Sequence, residues 1–167
     1  MVLVSIRQWG LTPRRLDDGY SLWFDSINPG ILFHLLQHSD YTVDQLDRLL
    51  NHNSGLLRIS GISNDLRQIT KAMTTGNKRA KLAFDLFIHR LRSNIGTMIA
   101  SLGGVDVLVF TAGIGENSAA IRSAACEGFE FLGLSINLSK SNATPVNLDI
   151  SQPGAQVRVL EIGRAHV

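Results

Sequence analysis

"VDVLVFTAGIGENSAAIR", residues 105–122, decides how the rest of the chain is read. Val105 to Phe110 is a nearly continuous apolar run, the pattern of a strand covered on both faces in a parallel sheet. Thr111-Ala112-Gly113-Ile114-Gly115 follows as a loop, and a helix is predicted from about Asn117 to Glu127. α/β proteins hold phosphates where a strand, a glycine loop and a helix start follow one another, because free backbone N–H groups and the positive end of the helix dipole converge there. Glycines at 113 and 115 would let a ligand come close to the backbone. A tight strand-to-helix turn with no ligand fits the same residues. The dinucleotide fingerprint is excluded because its third glycine falls on Ser118, and the Walker pattern lacks its Gly-Lys-Ser/Thr.

Upstream of this stretch the chain reads as helical. Asn28-Pro29-Gly30 opens a helix, with Asn28 as cap, Pro29 in the first position and a buried stripe of Ile31, Leu32, Leu35 and Leu36. Thr42-Val43-Asp44-Gln45 is a capping box, and Leu46, Leu49 and Leu50 follow on one face. Residues 51–64, "NHNSGLLRISGISN", are rich in Gly, Ser and Asn and read as a loop in two parts around Leu56-Leu57. Asp65-Leu66-Arg67 begins a short helix ending near Gly76. The longest helix runs from about Lys78 to Ser101, where Ala80, Phe84, Phe87, Ile88, Leu91, Ile95, Met98 and Ile99 recur at three- and four-residue spacing. Gly103-Gly104 ends it.

Downstream, "FEFLGLSINLS" after Gly128 alternates as a strand or hairpin would, and Val157 to Leu160 is a last apolar strand. Helices between strands make this an α/β architecture with a mixed sheet.

Composition narrows the function classes. The chain has 167 residues, 44% of them hydrophobic and 18% charged, which suits one folded domain rather than a disordered segment. A net charge of +2 is no basic surface. Lys71, Lys78, Arg79, Lys81, Arg90 and Arg92 spread around predicted helix as a solvated face, and no aromatics interleave with them as nucleic-acid binding would require. Cys126 is the single cysteine, so no internal disulfide forms, and it sits in a run of small residues as a buried thiol. His34 and His38 share a helix face, but no Cys or acidic residue is placed to complete a zinc site with them. No apolar run approaches the ~20 residues of a spanning helix, so a cytoplasmic protein without membrane partners is expected.

At this point the motifs resemble a known family. "VFTAGIGENSAAIR" resembles the nucleotide-binding loop of the acetate kinase family, and "FLGLSINLSKSN" resembles the segment that succeeds it. "INPGILFHLL", "YTVDQLDRLLNHNSGLLRISGISNDLRQI" and the long helix resemble the same family in the same order, from about Ser26 to Leu160. The resemblance implies a partial α/β domain of the ribonuclease-H-like/actin-like ATPase fold, shared by acetate and sugar kinases, Hsp70 and actin, with a mixed sheet and flanking helices. It implies a phosphotransferase converting ATP and acetate, or a close short-chain carboxylate, to ADP and acetyl phosphate with Mg2+, in a cytoplasmic homodimer. Asp65, Leu66 and Arg67 fall on the family's Asp-Met-Arg adenine-side motif, with Leu in place of Met. Gly113, Ile114, Gly115, Glu116 and Asn117 fall on its Gly-Ile-Gly-Glu-Asn nucleotide loop. Taken alone, Asp65 and Arg67 read as a surface pair at a helix start. The alternatives are a nucleotide-binding fragment without catalysis, and a propionate or butyrate kinase.

The two ends depart from the family pattern. Gly10-Leu11-Thr12-Pro13 and Ile27-Asn28-Pro29-Gly30 match the borders of a motif whose arginine faces the transferring phosphoryl group, yet "LDDGYSLWFD" at 16–25 stands between them. Shifting its codons by one base permits L-M-M-G-T-R-S-G-S-I, the family motif, and a two-base shift of Met1 to Trp9 permits the strand before it. Residues 1–25 therefore read as a frameshifted remnant, and Arg14 and Arg15 sit too early to substitute for the lost arginine. Residues 162–167, "IGRAHV", stand where the family has a Pro-Thr-x-Glu-Glu segment linked to magnesium, and match a translated sequencing adapter. They read as a non-native tail. Residues 26–161 remain as part of a C-terminal nucleotide-binding domain, with no catalytic or metal-binding residue retained and no phosphoryl transfer expected of this polypeptide as written.

Overall fold

The computed structural model describes residues 2–3, 28–142 and 148–162. The readings placed on residues 4–27 and 163–167 lie outside the described residues. The chain divides into two compact units, and their boundary falls within one long helix: residues 12–87 form one, residues 1–11 with 88–167 the other.

The described part of the first unit is helical. Helix α1, Pro29–His38, is capped by Asn28, whose side chain accepts a hydrogen bond from the Gly30 N–H at 2.8 Å. The stripe read into this helix is not buried: Ile31 is 54% and Leu36 37% exposed, with Leu32 and Leu35 half-buried. Apolar side chains at 31, 32, 33, 35 and 36 point around most of the helix, so no single face could cover them. Helix α2, Val43–His52, carries the capping box in full, with Gln45 N–H to Thr42 Oγ1 at 3.2 Å and Thr42 N–H to Gln45 Oε1 at 2.9 Å.

The expected loop at 51–64 is corrected. Its centre is a short helix, α3, Gly55–Ser60, with Leu56 buried. Its Gly, Ser and Asn residues mark helix ends rather than a continuous loop: Ser54 is the N-cap and Gly61 a left-handed C-cap at φ 69°. Arg79 closes that end, donating from Nε to the Ile59 carbonyl at 2.9 Å and from Nη2 to that of Arg58 at 2.6 Å. A guanidinium there also complements the negative pole of the helix. Helix α4, Leu66–Thr74, follows, and α5, Lys78–Leu102, begins in this unit and ends in the other.

The second unit is built on a four-stranded sheet in the order β1-β2-β4-β3. Strand β2, Val107–Thr111, is parallel to β4, Arg158–Ile162, and antiparallel to β1, Val2–Leu3; β3, Leu148–Asp149, is antiparallel to β4. The sheet is therefore mixed. β2 starts two residues later than the apolar run suggested. Only Leu108 and Phe110 are fully covered, while Val107 remains 37% exposed, so the strand is not buried on both faces as expected. β4 continues past Leu160 to Ile162, which pairs with Thr111. Ile95, Ile99, Leu108, Phe110, Ala125, Cys126, Phe129, Leu134, Ile150, Val157 and Val159 form its core.

The alternating stretch after Gly128 is also corrected. It forms a single 3-10 turn at Glu130–Leu132 and two isolated bridges, Leu134 to Val157 and Ile136 to Ser151, and it ends in helix α8, Leu138–Asn142. Leu134 alternates inward against the sheet, but Asn137 stops the run, its Oδ1 accepting from the Lys140 N–H at 3.1 Å to start the helix. Among the described residues no helix is long and apolar enough to cross a membrane.

Candidate functional site

The candidate site begins where β2 stops. In open α/β sheets ligands gather beyond the carboxyl ends of parallel strands, and Thr111 and Ile162 are the paired last residues of the two parallel strands here. The expected loop at 111–115 is instead regular structure, with Thr111 ending β2 and the helix starting at Ala112. Ala112–Asn117 forms α6, Ser118 breaks it in extended conformation (φ −130°, ψ 90°), and α7 runs Ala119–Cys126 rather than from Asn117. Ser118 caps α7, its Oγ accepting from the Ile121 N–H at 3.3 Å.

Within α6 the two glycines do different work. Gly115 is buried, and a β-carbon on it would lie 3.2 Å from the Phe110 carbonyl carbon, so its absence lets the helix press on β2. Gly113 is exposed, with no atom within 4 Å of where its β-carbon would be. Neither has a positive φ, so no left-handed turn accounts for them; close packing on Phe110 accounts for Gly115, and no neighbour within the chain requires a glycine at 113. Ile114 and Glu116 are half-buried. Asn117 is exposed, and its Nδ2 donates to the Gly113 carbonyl at 2.8 Å.

A residue outside the sequence-derived set anchors this segment. Arg122, on α7, is 2% exposed. Its Nη1 donates to the carbonyls of Gly115 at 2.6 Å and Glu116 at 2.7 Å, its Nε to Ser141 Oγ at 3.1 Å, and its Nη2 to the Ser141 carbonyl. Nη2 also lies 3.2 Å from Glu161 Oε2, yet that oxygen accepts no hydrogen bond, nor does Glu116 Oε1. Burial lowers the Arg122 guanidinium below its usual range, opposed by the Glu161 charge; burial raises the Glu161 carboxyl, opposed by Arg122. Coulomb attraction with poor hydrogen bonding describes the pair. The sequence held one signal of this: a lone arginine among Ile121, Ala124, Ala125 and Cys126, where only a paired cation is tolerated.

The other candidate segment belongs to the first unit. Asp65 is the N-cap of α4, its Oδ1 accepting from the Arg67 N–H at 2.8 Å. The Arg67 guanidinium folds back on the same carboxylate, with Nη2 to Oδ2 at 2.7 Å, while its side chain stays 89% exposed. Hydrogen bonds from Arg67 hold the Asp65 carboxyl below its usual value. Leu66 is 6% exposed and belongs to the interior, so only its two charged neighbours present side chains to solvent.

The remaining reactive residues are engaged elsewhere. Cys126 is buried, and its thiol is pushed up to about 12, chiefly by burial. The His34 and His38 rings stack at 4.5 Å on exposed α1. Among the described residues, no three or more His, Cys, Asp or Glu side chains stand together as a metal site. The basic residues are not uniformly a solvated face: Arg79 closes α3, and Arg92 donates to the Ala124 carbonyl at 2.7 Å and pairs with Glu127 at 2.8 Å.

Comparison with known proteins gives a consistent result. The sequence profile of the acetokinase family matches residues 23–165. An acetate kinase of Rippkaea orientalis is 56% identical over 137 residues, covering 82% of this chain and 34% of the relative. The crystal structure of Porphyromonas gingivalis acetate kinase superimposes with a TM-score of 0.75 at 35% identity, covering 83% of this chain and 35% of that one. A propionate kinase from Francisella tularensis gives 0.71 at 31% identity, covering 82% and 35%. The chain thus spans about a third of the length of the relatives it matches.

Proposed function

The chain belongs to the acetokinase family, and from that premise we propose that it supplies the nucleotide end of an ATP-dependent carboxylate kinase. In that reaction a carboxylate oxygen of acetate, or of a close homologue such as propionate, attacks the γ-phosphorus of ATP. The bond to the β–γ bridging oxygen breaks and its electron pair leaves with ADP, giving an acyl phosphate. The contact proposed for the second unit is residues 113–117 on the phosphates; in the first unit Asp65 and Arg67 carry the family's adenine-side motif, and the interior Leu66 supports them from below rather than touching a ligand.

The observation that carries this reading is Gly113, which is exposed with open space at its missing β-carbon just beyond the carboxyl end of a central parallel strand, so that a ligand can come close to the backbone there. Its neighbours suit the role. Asn117 offers an amide at the same exposed turn, and Gly115 and Arg122 hold the segment against the sheet. Magnesium is the expected companion of ATP. Among the described residues no group of three or more His, Cys, Asp or Glu side chains stands ready to hold it, which suits an ion carried mainly by the nucleotide's phosphates and water. The same reading carries a cytoplasmic location and a homodimeric whole protein.

Calorimetric titration of the chain with ATP and ADP tests the proposal. Saturable heat with one nucleotide per chain supports it, and absence of heat up to millimolar nucleotide contradicts it. The Francisella propionate kinase match makes the acyl group a separate question. Phosphoryl transfer by the longer protein to acetate against propionate, compared by kcat/KM, decides it.

A further inference from the structure

Gly115 against Phe110 and the Asn117 amide on the Gly113 carbonyl hold part of residues 113–117, but they leave the end of the segment unsecured. Helix α6 has only six residues, and the break at Ser118 leaves its last carbonyls without helical partners. Gly115 and Glu116 carry two of those carbonyls, and the Arg122 Nη1 takes both. The same guanidinium is fixed on its other edge to Ser141 of α8 by two hydrogen bonds. One buried planar cation therefore joins the end of α6, the body of α7 and the end of α8. The angle of the α6–α7 elbow cannot change without breaking charge-assisted bonds in a site closed to water.

We propose that Arg122 is the positioning residue of the nucleotide segment: its guanidinium fixes the elbow and thereby sets the direction in which Gly113 and Asn117 face a nucleotide. This rests on the nucleotide reading of residues 113–117. It makes the fork shape of the side chain, and not only its charge, the functional property. A lysine at 122 would keep a positive charge beside Glu161, but its compact ammonium cannot reach the Gly115, Glu116 and Ser141 acceptors together in one plane. A merely structural role would be satisfied by any variant that folds.

The test compares the unaltered chain with R122K and with Ser141→Ala, which removes only the hydroxyl acceptor of Nε. Three readouts are taken: the thermal midpoint, ATP affinity by calorimetry, and backbone amide resonances. By analogy with groups that orient metal ligands, folded R122K is expected to lose about tenfold or more in ATP affinity. The amides of Gly113, Gly115 and Asn117 are expected to shift while those of β2 and β4 stay in place. Ser141→Ala is expected to lose affinity in the same direction by a smaller factor, and it decides the matter should R122K not fold. If the unaltered chain takes up no ATP, the nucleotide reading fails and the inference falls with it. If the unaltered chain binds and the folded variants bind equally well, the inference alone is overturned.

Discussion

Replacing each glycine of α6 by alanine separates two jobs that one motif combines. At Gly115 the new β-carbon would meet the Phe110 carbonyl carbon at 3.2 Å, its Cβ at 3.4 Å and its Cα at 3.5 Å. Phe110 lies in a strand hydrogen-bonded on both sides and is 1% exposed, so it has little room to yield. Overpacking of this kind costs about 1–3 kcal/mol, against a gain of up to about 1 kcal/mol from alanine's higher helix propensity. The net expectation for G115A is a loss of about 0–3 kcal/mol. At Gly113 nothing lies within 4 Å of the new methyl, so G113A keeps the propensity gain alone, about 0.5–1 kcal/mol. Urea unfolding followed by circular dichroism measures both. The two variants should differ by roughly 1–3 kcal/mol, with G113A the more stable. G113A should nonetheless bind ATP more weakly than the unaltered chain, because its methyl occupies the space assigned to the nucleotide. A G115A chain as stable as G113A, or a G113A chain with undiminished affinity, would refute the reasoning.

Three further expectations follow from the polar contacts. R122M should cost about 3–5 kcal/mol, since it leaves Glu161 buried without a countercharge, and E161M added to it should restore part of that loss in a denaturation cycle. Asp149 is held down to about 2 from an ordinary 3.8 by hydrogen bonds from Ser151 and Arg158. A lowered carboxyl contributes stability that is present above its unfolded value and is lost as pH falls through the folded one, so acid unfolding between about pH 4 and 2 should be shallower in D149N. D65A should destabilise α4 by about 1 kcal/mol through loss of its N-cap, whereas R67A, whose side chain is mostly in water, should lower the unfolding midpoint less than D65A does.

Local signals carried much of this fold. The capping box at Thr42 and Gln45, the cap at Asn28, the start of α4 near Asp65 and the bounds of α5 all follow from side chains acting on neighbouring backbone, which short stretches of sequence record. The errors arose where partners are distant in sequence. Residues 55–60 have the composition of a loop, yet their glycine and serine stand at the two ends of a helix whose Leu56 needs a core. Residues 129–139 alternate like a strand, yet they pair only through isolated bridges to Val157 and Ser151. Gly113 and Gly115 were legible as places of close approach, but not as parts of a helix, and only Phe110 shows that Gly115 serves packing. Arg122 carries little sequence signal because its acceptors at 115, 116 and 141 are carbonyls and a serine hydroxyl, which no motif advertises.

The most direct test of the central claim is an amide NMR titration of isotopically labelled chain with ATP, in which glycine signals are readily followed. The account requires saturable shifts concentrated at Gly113, Ile114, Gly115, Glu116 and Asn117, with a midpoint matching the calorimetric affinity. Saturable shifts confined to other residues, with those five amides unmoved, would contradict it.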